Sequence, residues 1–447
     1  FWIATTSFYI RFHNVSNVGI KAMAKVFKPK PLFDAHVAFI RLPSGLAMLR
    51  EYPDALEFIE QQRQQRPETF EDFIHTQSFL KSYSRKNEAT YRSYRNEVER
   101  LLLWSWTVAN KSIVQLRRGD LEAFFDFVNH PPQHWVSTAV HGRFSLRAGS
   151  LRCNPLWRPF TVKVAKSDRA DALADGKDPS TSREAHRLSN SAMKICFSAL
   201  SCYYDYLTDE SYAFGNPIPA IRKQSPYLLV GASQKEIRRL SDLQWQYVLE
   251  TAQRDADNDP DQERSLFMVA LLKTLYLRIS ELSERPNWQP AWQHFWKDNQ
   301  GNQWLKVLGK GNKVRDISVP DALLPYIQRY REYRSGLSFN FGVHSPLVIK
   351  NRGVGGMTPR QLRRIVQARF DAAHRHMVAE GFGADAETLR VASSHWLRHT
   401  GASQDIATRP LKHMADDLGH ASMATTDQVY IQSDMKERAY SGKDREV

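Results

Sequence analysis

The amino-acid sequence predicts a mainly α protein with a small β-sheet, an α+β chain of more than one domain. Three observations predict this. Apolar residues recur at three- and four-residue steps through most of the chain, the period of a helix face. One hairpin pattern interrupts them: two β-like runs, 303–308 and 314–319, flank the turn Gly309–Lys313. The length, 447 residues, gives two or three domains at about 150 residues each.

Composition narrows the function classes. Hydrophobic residues are 42% and charged ones 25% of the chain, as in folded proteins and unlike disordered ones. No apolar run approaches the roughly 18–20 residues that cross a bilayer. Cys153, Cys196 and Cys202 form no CxxC pair, which argues against a disulfide framework and a cysteine zinc site and fits a reducing compartment. Lys and Arg number 62 against 48 Asp and Glu, a formal net charge of +14. A folded protein this basic is expected to meet a polyanion, nucleic acid before a membrane surface. The charges are spread along the chain, which favours a broad binding surface over a basic tail.

In chain order, residues 1–68 read as an N-terminal extension or arm. The opening FWIATTSFYI lacks the basic-led start of a secretory signal, and Met23 begins MAKVFKPKP like a natural start. Residues 1–22 are therefore expected to be a non-native extension. A short helical patch lies within 34–66. A first, helical domain spans 69–223. Phe70, Phe73, Ile74, Phe79, Leu80 and Tyr83 mark one helix, and Tyr91, Tyr94, Val98, Leu101 and Leu102 a second. A third covers 118–129. The turn-rich stretch 131–182 is long for a connection and reads as an insertion, ordered in part by Trp135, Trp157 and Phe160. A fourth helix runs from about 184 to 208. FGNPIPAIRKQSP leads into a linker, 224–239.

The second domain, 240–447, opens with Ser241 as a helix N-cap. Residues 265–284 are apolar on nearly every face, which predicts a buried helix. Thr358-Pro359 starts another helix, and Ser393 or Ser394 caps one beginning SSHWLRH.

Chemistry-bearing residues concentrate in this second half. Arg278 falls near the end of the most apolar helix, where a guanidinium must be paired or bound to an anion. Glu281, three residues on, is the structural partner that competes with an anion. His395 and Arg398 are also three apart, on one helix face, within a first turn whose free N–H groups welcome an anion. His395 and His399 imitate half a zinc site, but HExxH needs Glu where Trp396 stands, which argues against metal catalysis. Lys310 sits at the hairpin tip between two glycines, with Lys313 and Arg315 as competitors for any role there. His420 follows Leu418-Gly419, and Tyr430 lies in TTDQVYI; Tyr440, in a polar tail, is the weaker tyrosine. Together these are the parts for metal-free phosphoryl transfer. A tyrosine supplies the nucleophile, arginines hold the charge of the transition state, and lysine and histidine move protons.

The assembled pattern resembles the tyrosine recombinases of the phage-integrase family. LYLRISEL, VLGKGNKVRDISVP, SSHWLRHTGAS, LGHASMATT and QVYI carry the resemblance, over about 275–432. Residues 69–223 resemble that family's helical core-binding domain in pattern only. The resemblance implies a C-terminal catalytic domain in which Tyr430 attacks a DNA phosphodiester and becomes joined to the 3′ phosphate. It implies that Arg278 and Arg398 clamp the phosphate, Lys310 protonates the 5′ oxygen, His395 handles the tyrosine proton, His420 orients or donates to the phosphate, and Glu281 buttresses its arginine. It implies no metal and no other cofactor, double-stranded DNA recombination sites as partners, and a tetramer of this chain or of related recombinases acting through a Holliday junction. It further implies a cytoplasmic, nucleoid-associated protein of a mobile genetic element, with no membrane partner.

The spacing from His420 to Tyr430 is one residue longer than is commonest in the family. The insertion 131–182 and the tryptophan-rich stretch 286–302 also depart from it, and both are expected to bear on DNA contacts and assembly rather than on chemistry. The rival readings are a type IB topoisomerase, which reseals the same strand, and a non-catalytic DNA-binding regulator.

Overall fold

The computed structural model describes residues 28–420, apart from residue 86, most of 163–185, 229–237, 338–340 and 351–353. The chain forms two compact units, divided after residue 233.

The first unit is helical. α1 (His36–Arg41), α2 (Pro53–Gln65), α3 (Thr69–Ser84), α4 (Glu88–Trp104) and α5 (Arg118–Asn129) lead into a small β region. There β1 (Val136–Ser137) pairs in parallel with β4 (Phe160–Thr161), and β2 (Phe144–Arg147) pairs antiparallel with β3 (Ser150–Cys153). α6 (Asn190–Asp209) and α7 (Ile218–Gln224) close the unit. α3 buries Phe73, Phe79 and Leu80 at helix spacing against Tyr91, Val98 and Leu102 of α4. Asn87 starts α4 by accepting a hydrogen bond from the Thr90 N–H at 2.7 Å.

Three readings change here. Residues 28–68 are not a separate arm. Leu32, Phe33, Met48, Leu49, Phe58 and Ile59 lie buried in the same core as α3, because a stretch this apolar gains more from burial than from solvent. FGNPIPAIRKQSP, read as leading into the linker, contains α7, which buries Ile218 and Ile221. The fourth helix begins at residue 190, where Ser189 accepts from the Ala192 N–H. Within 131–182, the described residues 131–162 carry the four short strands, and Trp135, Trp157 and Phe160 are all buried. Two acids tie the region down. Asp54 on α2 accepts from the Cys153 N–H at 2.9 Å and pairs with Arg152 at 2.7 Å. Glu99 on α4 accepts from the Leu32 and Phe33 N–H groups at 2.7 and 3.2 Å and pairs with Arg143, whose Nη1 is 2.7 Å from Oε1.

The second unit packs helices around one buried helix and a small sheet. Its elements are α8 (Asp242–Asn258), α9 (Glu263–Thr274), β5 (Phe295–Lys297), β6 (Gln303–Leu308), β7 (Val314–Ser318), α10 (Leu324–Leu337), α11 (Pro359–Ala379), α12 (Gly383–Val391), α13 (Ser394–Asp405) and α14 (Leu411–Leu418). Capping boxes start α8 at Ser241 and α11 at Thr358. The three strands are antiparallel in the order β5-β6-β7, with Leu305 opposite Ile317 and Val307 opposite Arg315.

α9 is buried on every side, from Leu266 through Leu272. It stops at Thr274, ten residues before the expected end. Tyr276 takes the left-handed region, φ 49°, which ends the helix and turns its carbonyl aside. α13 crosses α9 at Gly401. A Cβ there would stand 2.0 Å from the Lys273 carbonyl oxygen, so only glycine permits this approach.

Candidate active site

The end of α9, the tip of the β6–β7 hairpin, the start of α13 and the end of α14 meet in one place. Arg278 does not ride on α9; it lies in the turn that follows. Glu281, its side chain fully buried, takes the Arg278 Nη1 at 3.1 Å on Oε1 and the Arg278 backbone N–H at 2.8 Å on Oε2. The ion pair expected from the spacing is present, formed by a tight turn rather than by a helix face. The Arg278 side chain keeps 27% exposure, while Glu281 has none. Arg278 is thus a cation anchored at its base and open to a ligand.

Arg398 is buried at 1% exposure. Its Nη1 donates to the Tyr276 carbonyl and its Nη2 to the Leu418 carbonyl, each at 2.6 Å; Nη2 is also 3.4 Å from His420 Nε2. The left-handed turn at Tyr276 supplies the first carbonyl, and the end of α14 supplies the second. Gly419 ends that helix with φ 63°, and the His420 N–H returns to the Ala415 carbonyl at 3.0 Å. This turn aims the His420 imidazole at Arg398.

Burial, and then the charges of Arg398, Arg278 and Arg315, hold His420 down at about 4. Ring burial, followed by Arg398 and Arg278, also holds His395 below the ordinary imidazole value, although the residue keeps an exposed surface. His399 stands one turn on, its ring 4.3 Å from that of His395 and near perpendicular. Burial, His395, Arg398 and His420 hold His399 at about 4. All three imidazoles are therefore neutral at neutral pH, able to accept a proton. The cluster of arginines around them is positive and suited to an anion.

Lys310 is exposed at the hairpin tip, in the turn closed by the Gly309 N–H to the Lys313 carbonyl at 2.8 Å. Lys313 is also exposed, whereas Arg315 is drawn inward on β7. Tyr430 and Tyr440, with the spacing from His420 to Tyr430, lie outside the described residues, as does Met23. Ser393 occupies the N-cap of α13, but no side-chain bond caps that helix. The tryptophan-rich stretch touches the chemistry more closely than expected: the Trp288 indole donates to the Glu281 carbonyl at 2.7 Å. Among the described residues, no His, Cys, Asp or Glu cluster could hold a metal ion. None of their helices is long and apolar enough to cross a membrane.

Sequence reasoning missed a second ring of groups. The Arg315 guanidinium forks onto Glu281, Nη1 to Oε1 at 2.8 Å and Nη2 to Oε2 at 3.0 Å, while its Nε donates to the Asp417 carbonyl at 2.9 Å. Arg409 holds Asp417 at 2.7 Å and the Tyr276 hydroxyl at 3.1 Å. That hydroxyl also donates to Asp405. Only the inward-facing register of Arg315, opposite Val307 on a strand, signalled any of this.

The fold and the site define a class: mainly helical proteins with a small antiparallel sheet, in which a buried and a partly exposed arginine stand beside three neutral imidazoles, a setting suited to an anionic group. The phage integrase family model matches residues 238–437. The chain is 32% identical over 162 residues to a tyrosine recombinase XerC of Pelobacter propionicus, a match covering 35% of this chain and 45% of that protein. It is 26% identical over 296 residues to a tyrosine recombinase XerC of Alcanivorax borkumensis, covering 66% of this chain and 82% of the relative. Among solved structures it is similar to the XerH site-specific recombinase in a post-cleavage complex with palindromic difH, with a TM-score of 0.52 at 14% identity, covering 85% of this chain and 90% of that one. Residues 238–437 thus match the phage integrase family, and the chain is similar to tyrosine recombinases, spanning just under half the length of the first of them.

Proposed function

We propose that this chain is a tyrosine recombinase that cleaves and rejoins double-stranded DNA at specific sites, with Tyr430 as the nucleophile. The Tyr430 oxygen attacks phosphorus, the bond from phosphorus to the 5′ oxygen breaks, and the DNA strand is left joined through its 3′ phosphate to the tyrosine. His395, neutral before DNA binds, takes the tyrosine proton; Lys310 gives a proton to the departing 5′ oxygen. Arg278 and Arg398 hold the charge that develops on the non-bridging oxygens, and His420 donates to the same group. A 5′ hydroxyl from a partner strand then attacks the phosphotyrosine and releases Tyr430. One phosphodiester is exchanged for another, so bond energy is conserved within the protein–DNA ester.

The convergence of Arg278, Arg398, His395 and His420 on one positively charged patch carries this reading, and Glu281 behind Arg278 supports it. We further propose that the helical first unit is the module that grips the duplex, and that the working species is a tetramer on two DNA sites.

The test is to denature the protein on DNA, recover the covalently held strands and sequence them. The expected result is one shared motif, cut at a fixed position, with the adduct on Tyr430 and none formed by Tyr430→Phe. An adduct at full yield in Tyr430→Phe moves the nucleophile elsewhere. Adducts at unrelated sequences, with relaxation of plasmid lacking a site, would make the enzyme a topoisomerase.

A further inference from the structure

We propose that Arg315 is a positioning residue of the site: it occupies both oxygens of Glu281 and so keeps the Arg278 guanidinium available to the scissile phosphate. This inference rests on the phosphate-clamping role of Arg278 proposed above.

Glu281 has two cationic neighbours and one carboxylate. A guanidinium and a carboxylate left alone pair as a fork, with two parallel hydrogen bonds. Here Arg315 makes the fork and Arg278 has a single side-chain bond, its Nη1 sharing Oε1 with Arg315. The other oxygen is committed to Arg315 and to the Arg278 backbone N–H. Among the described residues, the remaining Arg278 side-chain nitrogens have no hydrogen-bond acceptor. Were Arg315 absent, Glu281 would be a fully buried carboxylate with a vacant fork beside a partly exposed arginine. Arg278 would turn onto it and away from the phosphate. A buried charge that has lost its partner recruits the nearest opposite charge, because leaving it unpaired is strongly unfavourable.

The surroundings are shaped for Arg315. Its side chain is 12% exposed. A Cβ on Gly309 would stand 2.8 Å from Arg315 Nη1, and one on Gly419 would stand 3.0 Å from its Cδ and Nε. The guanidinium therefore lies between the residue before Lys310 and the residue before His420. Its Nε bond to the Asp417 carbonyl ties it to the end of α14. One side chain thus spans the lysine turn, the arginine buttress and the histidine turn.

The experiment measures single-turnover cleavage of a nicked DNA duplex carrying the site recovered by covalent trapping, with the full chain. Arg315→Ala should cleave about 10- to 100-fold more slowly, the range for loss of a group that orients a reacting partner. Adding Glu281→Gln to Arg315→Ala should restore at least several-fold of that rate, because a neutral amide no longer competes for Arg278. A purely structural Arg315 gives a double variant no faster than the single one, and that result overturns the inference.

Gly309→Ala provides a second route if Arg315→Ala does not fold. Its backbone conformation suits alanine, and its methyl group would stand 2.8 Å from Arg315 Nη1 but 3.4 Å from Glu281 Oε1 and the Lys313 carbonyl oxygen, so the guanidinium is the group that must give. It should slow cleavage several-fold with the melting temperature nearly unchanged; an unaltered rate also overturns the inference. The underlying reading fails separately. If Arg278→Ala cleaves normally, Arg278 is no clamp; if Arg278→Ala is inactive while Arg315→Ala is normal, only the role of Arg315 is lost.

Discussion

A phosphate-binding arginine must be held firmly enough to be preorganised and loosely enough to reach its ligand. The two arginines of this site meet those demands differently. Arg398 is buried and fixed by two carbonyls, whereas Arg278 is tethered by one carboxylate and keeps an open face. Replacing either by alanine should raise the cleavage barrier by roughly 2–4 kcal/mol, as for loss of one charge-stabilising group; a rate within twofold of wild type would contradict the assignment.

The histidines carry a second prediction. His399 and His420 titrate at about 4 in the folded protein, below the ordinary value of 6.5. Between those values the unfolded chain binds more protons than the folded one. Stability from the neutral rings is therefore complete above about 6.5 and is lost as pH falls towards 4. The melting temperature of the DNA-free protein should drop on going from pH 7 to pH 5, and by less in His399→Asn. An equal drop in both would refute this. His395 and Arg398 were legible in the sequence because a helix brings residues three apart onto one face. Arg315, Arg409 and Asp417 were not, because their meaning lies in partners far along the chain, such as Glu281, 34 residues before Arg315.

At the scale of elements, the crossing of α9 and α13 sets the site, since α13 carries both His395 and Arg398. Gly401→Ala would drive a methyl group into the Lys273 carbonyl. It should destabilise the second unit by about 1–3 kcal/mol, as overpacking does, with cleavage lost in step; an unchanged denaturation midpoint would show that the helices can part cheaply. The hairpin and the capped starts of α8 and α11 were readable from local chemistry. The end of α9 was not. A tyrosine in the left-handed region carries no local signal, and the apolar run continues past it through Leu277 and Ile279. α7 was hidden by its prolines, which read as a linker but also suit a first helical turn; the i, i+3 spacing of Ile218 and Ile221 was the signal that counted.

For the whole molecule, the formal charge of +14 and the basic site predict that phosphate contact is the main source of the proposed DNA affinity. If roughly 6–10 phosphates are held, binding should weaken by about 10³-fold or more between 50 and 200 mM salt. A flat dependence in a filter-binding or fluorescence titration would count against a phosphate-dominated interface. Composition led to the expectation of a polyanion, and apolar periodicity foretold the helical character. It did not foretell that residues 28–68 belong to the first core, because a sequence shows that a segment is apolar without showing which neighbour covers it.

That shared core bears on how the protein can be cut down for study. Glu99 draws the Leu32–Phe33 backbone and Arg143 onto a single carboxylate. Trimming the chain to the family-like portion at residue 69 would therefore remove two of the donors to an interior anion and uncover the apolar faces beneath α2. A fragment of the first unit meant to survive alone in solution has to begin ahead of Leu32 and retain the strands beside Arg143, so that piece is larger than family resemblance alone would suggest.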